Sequence, residues 1–151
     1  MAKKSYSFPV WVLIVLQALL GIGAIISGAM LVIAPDGSAM QMPRSLIEET
    51  PFPNFLVPGL ILFIFVGLFP CCVAYGLWKK PAWKWPNAIN PFKKYHWAWT
   101  GSLAAAVIVV IWLTVELNWV EYDFLHTTYY IWAGLILLLT LLPGTRKTYL
   151  A

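Results

Sequence analysis

Four long runs without a charged residue constrain this chain more than any other feature of its sequence. The runs extend from Ser5 to Pro35, Thr50 to Trp78, Tyr95 to Val115 and Phe124 to Thr145. A helix needs about 20 mostly apolar residues to cross the hydrocarbon core of a bilayer. Each run is long enough, so the sequence predicts an all-α, polytopic membrane protein. We expect one transmembrane domain over 1–151, with helices at about 9–34, 55–78, 97–119 and 125–143.

The overall composition excludes the main alternatives. Of the 151 residues, 61% are hydrophobic and 11% are charged, whereas an ordinary soluble domain has roughly 25% charged residues. So few charges could not cover a soluble protein of this size, and so apolar a chain is not disordered. The only two cysteines are adjacent, so no disulfide framework is expected. The apolar stretch of the first run also exceeds the roughly 7–15 residues of a signal peptide, and we expect a retained helix.

The charged residues between the runs predict the direction of the helices. Nine of the ten basic residues lie before the first helix, between the second and third helices, or after the fourth. All six acidic residues lie in or beside the other connections, and Arg44 is the one basic exception. Because cytoplasmic loops retain Lys and Arg, we expect both termini and the basic loop 79–96 to be cytoplasmic, and loop 35–54 to be outside. The net charge of +4 therefore reflects topology, and no nucleic-acid partner is expected.

Small residues predict how the helices pack, because close approach drives helix association in lipid. Each predicted helix carries one such stripe. The stripes are Gln17, Gly21, Ala24 and Gly28; Gly59, Gly67, Cys71 and Ala74; Ser102, Ala105, Val109, Trp112 and Glu116; and Tyr130, Gly134, Leu137 and Thr140. With these stripes inward, an antiparallel four-helix bundle follows. The same stripes could instead contact a second copy or another membrane subunit.

Glu116 is the only acidic residue within a predicted helix, and an intramembrane carboxylate is a candidate for function. It lies about 28 Å along the helix from Trp97, near the outer interface. It shares a helix face with Trp112 and is followed by Asp123, His126 and Tyr130. This group could bind a ligand with a polar headgroup, or a cation, or transfer protons. The alternative is an acidic, solvated rim with no ligand.

The basic loop combines lysines with tryptophans and is expected to contact lipid headgroups. These residues are Lys79, Lys80, Lys84, Lys93, Lys94, Trp83 and Trp85. Each lysine near an anionic leaflet contributes about 1 kcal/mol, and tryptophan rings favour the headgroup level. A docking site for an acidic partner is the alternative.

No catalytic residue, metal site or cofactor is expected from the remaining motifs. The pair Cys71–Cys72 lacks the C-x-x-C spacing of redox sites and is interpreted as packing. His96 and His126 are predicted on opposite sides of the membrane, so they could not jointly bind haem. Zincin, nucleophile-elbow and phosphate-loop motifs are absent from the sequence.

The predicted outer loop contains the most specific sequence motifs in the chain. Ala34-Pro35-Asp36-Gly37, Met42-Pro43 and Thr50-Pro51-Phe52-Pro53-Asn54-Phe55 resemble the first loop of small bacterial four-helix membrane proteins of unassigned function. The resemblance implies a location in the bacterial inner membrane and no activity. The absence of an N-x-S/T sequon agrees with a bacterial protein.

Three hypotheses for function follow. The first is a non-enzymatic accessory or scaffold subunit of a larger inner-membrane complex. The second is a binder or carrier of a lipid or small apolar ligand in the outer half of the bundle. The third is a small membrane enzyme that uses Glu116 and His126 as acid and base.

Overall fold

The computed structural model describes residues 6–119 and 121–151, and no strand occurs among them. Four helices are long and apolar enough to cross a membrane, as expected of a multi-pass membrane protein. They are α1 (Phe8–Ile33), α2 (Leu56–Lys79), α3 (Trp97–Glu116) and α4 (Phe124–Leu141). Shorter helical segments are Ser38–Met40, Ser45–Glu48, Lys84–Ile89 and Pro143–Thr148.

Local chemistry accounts for the helix ends. Pro9 lies in the first turn of α1, where the missing N–H has no helical partner to lose. Helix α3 ends at Glu116 rather than at residue 119, since the chain forms turns over 117–119. Helix α4 ends at Leu141 because Leu142, which precedes Pro143, is extended (φ −56°, ψ 140°).

Helix α2 contains a π-helical segment, Leu62–Leu68, between two α-helical parts. After it, the Phe69 N–H donates to the Ile64 carbonyl, five residues back rather than four. The segment thus changes the register between the two ends of α2. Its part before the segment packs on α1, and the part after it packs on both α1 and α3.

Glycines bring α1 and α2 into backbone contact, as the predicted stripes require. A Cβ at Gly28 would lie 2.6 Å from the Phe63 nitrogen and 2.8 Å from the Gly59 oxygen. A Cβ at Gly21 would lie 2.7 Å from the Gly67 oxygen. These distances are shorter than those of real Cβ contacts, so only glycine permits this approach.

A buried polar chain joins α1, α3 and α4. The Gln17 side-chain amide donates to Ser102 Oγ at 2.9 Å, and Ser102 Oγ lies 2.7 Å from Thr140 Oγ1. All three side chains have zero exposure. The Trp99 indole also donates to the Thr140 carbonyl at 2.8 Å. These hydrogen bonds satisfy polar groups that lipid could not.

The stripe predicted for α4 is wrong in its middle part. Gly134 is exposed, since a Cβ added there would have no described atom within 4 Å, and Leu137 is 38% exposed. The buried face instead comprises His126, Ala133, Ile136 and Thr140. Small size alone did not identify the inward face, because the lipid-facing residues of this helix are equally apolar.

Two tyrosines close the end of the bundle where α1 begins and α2 ends. The Tyr6 hydroxyl donates to the Trp78 carbonyl, and the Tyr149 hydroxyl donates to the Leu77 carbonyl, both at 2.7 Å. Burial raises the pKa of both tyrosines. The chain end is fixed here too, since the Ala151 N–H donates to the Lys94 carbonyl. Residues near both described ends of the chain therefore lie beside the lysine-rich loop.

Asn90 organises the loop 79–96. It is 4% exposed, and its side-chain amide donates to the Tyr95 carbonyl at 2.9 Å. Its oxygen accepts from the Phe92 N–H and from the Thr100 hydroxyl. This residue turns the chain from the helix Lys84–Ile89 into α3.

Candidate functional site

A cavity of about 530 Å³ lies between the four long helices and the loop 35–54. Its wall is mostly apolar. The α1 wall is Leu20, Ala24, Ser27 and Leu31; the loop contributes Met40, Met42, Leu46, Ile47, Thr50 and Phe52, and Phe55 follows directly after it; α2 contributes Pro58, Leu62 and Val66. The far wall is Val109, Trp112, Leu113, Glu116, Trp119, Asp123, Leu125, His126 and Tyr129.

The cavity follows from the way α2 is divided between its neighbours. Glycine contacts hold the first part of α2 against α1. Helix α3 meets α2 mainly through the later part, where a Cβ at Gly101 would lie 2.9 Å from Val73. A space therefore remains between the first part of α2 and the end of α3.

The loop 35–54 folds over this space as a cover. Ile47 and Phe55 are 5% and 4% exposed and pack with Leu31 of α1. The Phe55 N–H donates to the Pro35 carbonyl at 2.8 Å, which closes the base of the loop. The Phe52 ring meets the Trp119 ring edge to face, with centroids 6.3 Å apart. The apolar residues of the loop thus form one side of the cavity.

Glu116, Asp123 and His126 form a polar cluster in the wall. Asp123 caps α4, and its carboxylate accepts from the Leu125 N–H at 2.9 Å and the His126 N–H at 3.2 Å. Its Oδ1 also lies 3.0 Å from His126 Nδ1. Desolvation alone would raise the pKa of Asp123, but these hydrogen bonds outweigh it, and the pKa of Asp123 lies below its ordinary value.

The other imidazole nitrogen of His126, Nε2, has no hydrogen-bond partner in the described structure. His126 is 5% exposed, and its Nε2 is buried. Glu116 Oε2 lies 3.6 Å from this nitrogen, too far for a hydrogen bond. A buried polar atom without a partner costs about 1–3 kcal/mol, and a hydrogen bond to a group in the cavity would offset this cost.

Four of the five ligand-binding residues expected from the sequence lie in the cavity wall: Trp112, Glu116, Asp123 and His126. Tyr130 does not, since its hydroxyl lies 2.9 Å from Thr114 Oγ1 on a partly exposed face. Sequence reasoning missed Met40, Met42 and Phe55, whose only signal was their apolar character within or directly after a proline-rich loop.

The cluster can accept hydrogen bonds and exchange a proton with a bound group. Among the described residues that line the cavity, none is Lys or Arg. Over the part of the chain that is described, no group of three or more His, Cys, Asp and Glu residues has a placement suited to a metal ion.

The lysine-rich loop lies at the opposite end of α3. Lys79, Lys84, Lys93, Lys94 and Trp85 are exposed. Lys80 instead turns into the fold, where its Nζ donates to the Thr148 carbonyl at 2.6 Å. Trp83 stacks on Trp97 with ring centroids 5.3 Å apart.

The two cysteines and His96, which the sequence analysis also considered, take part in helix packing and helix capping. Cys71 and Cys72 are free thiols, and the Cys71 sulfur packs against Gly21. His96 caps α3 by accepting from the Ala98 N–H. It therefore lies at the end of α3 opposite to Glu116 and His126.

Comparison with protein-family models, with curated proteins and with solved structures finds no match to this chain.

Proposed function

We propose that this chain is an inner-membrane protein of bacteria that crosses the bilayer four times in alternating directions, with both termini cytoplasmic. The contacts that support alternating directions pair the start of α1 with the end of α2, through Tyr6 and Trp78, and the end of α1 with the start of α2, through Gly28 and Gly59. The exposed lysines around 79–94 support a cytoplasmic position for that end, where they contact anionic headgroups.

Cysteine labelling tests this orientation. Cys71 and Cys72 are first replaced by alanine. A membrane-impermeant maleimide is expected to label Ala39→Cys in intact cells and Lys84→Cys only after lysis, since both positions are exposed. Labelling of Lys84→Cys in intact cells would reverse the proposed orientation.

The function that the geometry supports best is binding of an apolar or amphipathic molecule in the outer cavity. The observation that carries it is the apolar cavity with His126 Nε2 in its wall, a buried nitrogen without a hydrogen-bond partner in the described structure. Ligand sites are typically apolar cavities of roughly 300–1,000 Å³ with a few polar groups that orient the ligand. The volume of about 530 Å³ suits a single medium-length hydrocarbon chain.

A photoactivatable probe, dodecanol with a terminal diazirine, tests this function in nanodiscs of phosphatidylcholine. Crosslinks are expected on the loop 35–54 and around Trp112, and an excess of plain dodecanol should prevent them. The variants Ser27→Phe and Met42→Trp each fill the cavity and should abolish these crosslinks. Ile22→Phe is the control, because Ile22 is 51% exposed on the lipid side of α1.

Unchanged crosslinking in both filling variants, or none in the wild type, would contradict binding in the cavity. Crosslinks confined to exposed helix faces would do the same, because they report annular lipid only.

An accessory or scaffold role is the second candidate, supported by Gly134. This glycine faces outwards on α4, with open space around it in the described structure, and small residues permit close helix approach in lipid. Extraction into polymer-bounded native discs should recover the chain in a complex larger than a monomer. Gly134→Leu should dissociate the complex, while Gly134→Ala, which keeps this position small, should leave it intact. A strictly monomeric extract contradicts this role.

A further inference from the structure

The polar cluster of the cavity consists mainly of hydrogen-bond acceptors, and the Trp112 indole lies beside Glu116 as a donor. Glu116 and Asp123 contribute carboxylates, and no Lys or Arg is found among the described lining residues. An anionic ligand group placed here would meet two carboxylates and, among the described lining residues, neither a lysine nor an arginine. The cluster therefore disfavours carboxylate and phosphate groups and favours a donor or a cation.

The tautomer of His126 adds a third acceptor. Its Nδ1 lies 3.0 Å from Asp123 Oδ1 and 3.3 Å from the Asp123 backbone nitrogen. Two hydrogen bonds compete for Nδ1: the Asp123 N–H is directed at it as donor in the capping box, whereas the Asp123 carboxylate oxygen can only accept from it. Because the contact with the carboxylate is the shorter one and is charge-assisted, we assign the N–H to Nδ1. Nε2 then carries a lone pair. It is buried, lines the cavity and has no partner within the described chain.

Two acceptors consequently face each other across 3.6 Å, Nε2 of His126 and Oε2 of Glu116. A group that donates to both would relieve this arrangement. A hydroxyl has one hydrogen and can donate to only one of them, whereas a primary ammonium has three. The aromatic rings of Trp112, Trp119 and Tyr129, which also line the cavity, attract a cation as well.

We infer that the ligand of the outer cavity carries a primary ammonium group, held between Glu116 and His126, with its apolar chain among the residues of α1, α2 and the loop 35–54. This inference rests on the proposed binding function. The ammonium can belong to a free long-chain amine or to the headgroup of an aminophospholipid, and both present the same donor group to the cluster.

Competition against the diazirine probe tests the inference in nanodiscs of phosphatidylcholine, a lipid that has no primary amine. Dodecylamine is expected to displace the probe at about tenfold lower concentration than dodecanol, equivalent to about 1.4 kcal/mol. Laurate should displace it least. Dodecyltrimethylammonium has the charge but no N–H, so it should lose most of the advantage of dodecylamine, and this comparison needs no variant protein.

Variants locate the effect. Glu116→Gln should remove the advantage of dodecylamine, so that dodecylamine and dodecanol displace the probe from this variant at similar concentrations. Glu121→Gln is the matched control, because Glu121 is exposed and does not line the cavity. Equal advantages of lysophosphatidylethanolamine over lysophosphatidylcholine and of dodecylamine over dodecanol would assign the ammonium to a lipid headgroup. An advantage of dodecylamine alone would assign it to a free amine.

Different results would overturn the ammonium assignment and the binding function. If dodecylamine, dodecanol and laurate displace the probe equally, or laurate displaces it best, the cavity binds apolar chains and the ammonium assignment is overturned. If none of them displaces the probe, the binding function itself is overturned.

Discussion

The hydroxyl of Tyr149 donates to the carbonyl of Leu77 at 2.7 Å. The helical partner of this carbonyl would be the N–H of the residue four positions on, which is Pro81. Proline has no N–H, so the Leu77 carbonyl is left over at the end of α2. Tyr149, near the end of the chain, supplies the missing donor.

Tyr149→Phe should therefore destabilise the protein by about 1–3 kcal/mol, since it leaves a buried carbonyl without a partner. The measurement is the free energy of unfolding in mixed micelles, followed by circular dichroism. Tyr75→Phe is the control, because the Tyr75 ring stacks on Trp83 but its hydroxyl has no hydrogen bond to any described residue. Equal stability of the two variants would contradict this role of Tyr149.

The stability should fall on mild acidification because of His96. Its Nδ1 accepts from the Ala98 N–H, and its Nε2 lies 3.0 Å from the Pro81 carbonyl, so the folded state requires the neutral ring. Burial, assisted by the charge of Lys80, lowers the pKa of His96 below its ordinary 6.5.

The unfolded state consequently binds more protons than the folded state between pH 6.5 and the lower folded pKa. The contribution of His96 is present above pH 6.5 and is lost as the pH falls through this window. The difference in unfolding free energy between the wild type and His96→Asn, measured against pH, isolates this contribution. A difference that does not change with pH would show that His96 stays uncharged or equally charged in both states.

The polar chain between α1 and α3 predicts an asymmetry between two substitutions. Ser102→Ala leaves the buried Gln17 amide without its partner, and the Gln17 oxygen already has none in the described structure. It should cost about 1–2 kcal/mol. Gln17→Leu removes the whole amide and should cost less. The double variant should be no less stable than Ser102→Ala alone, as a double-mutant cycle of unfolding free energies will measure.

Two glycines of α1 should respond in opposite directions to the same substitution. Gly28→Ala places a methyl group against the backbone of Phe63 and Gly59 and should cost about 1–3 kcal/mol. Gly23→Ala enters open space and should be neutral or stabilise the helix by about 0.5–1 kcal/mol. Thermal unfolding of both variants in the same detergent checks this. Similar losses in both would place the α1–α2 contact elsewhere.

The four long helices could be predicted from the sequence, because apolar runs of this length without a charged residue are typical of membrane-spanning helices. The glycine contacts of α1 with α2 were equally readable, since a backbone contact requires small residues on both helices. The inward face of α4 was not readable, because in lipid both faces of a helix are apolar and hydrophobic periodicity vanishes. Gly134 was consequently assigned to the wrong side.

Of the candidate site, the polar cluster could be predicted from the sequence, but the apolar wall opposite to it could not. Glu116 stood out as a lone carboxylate in an apolar helix, and its neighbours in sequence led to Asp123 and His126. The opposite wall of the cavity could not be predicted, because Met40 and Met42 belong to a loop without periodicity and Phe55 follows directly after that loop. Its position over the bundle depends on tertiary contacts with Leu31, which no local pattern encodes.

The π-helical segment Leu62–Leu68 makes the length of α2 as important as its composition. Each residue advances an α-helix by about 100°, so deleting one residue there would rotate everything before the segment relative to everything after it. Gly59 would then turn away from Gly28, and the wall formed by Pro58 would leave the cavity. A conservative substitution in this segment should be tolerated where a single deletion is not.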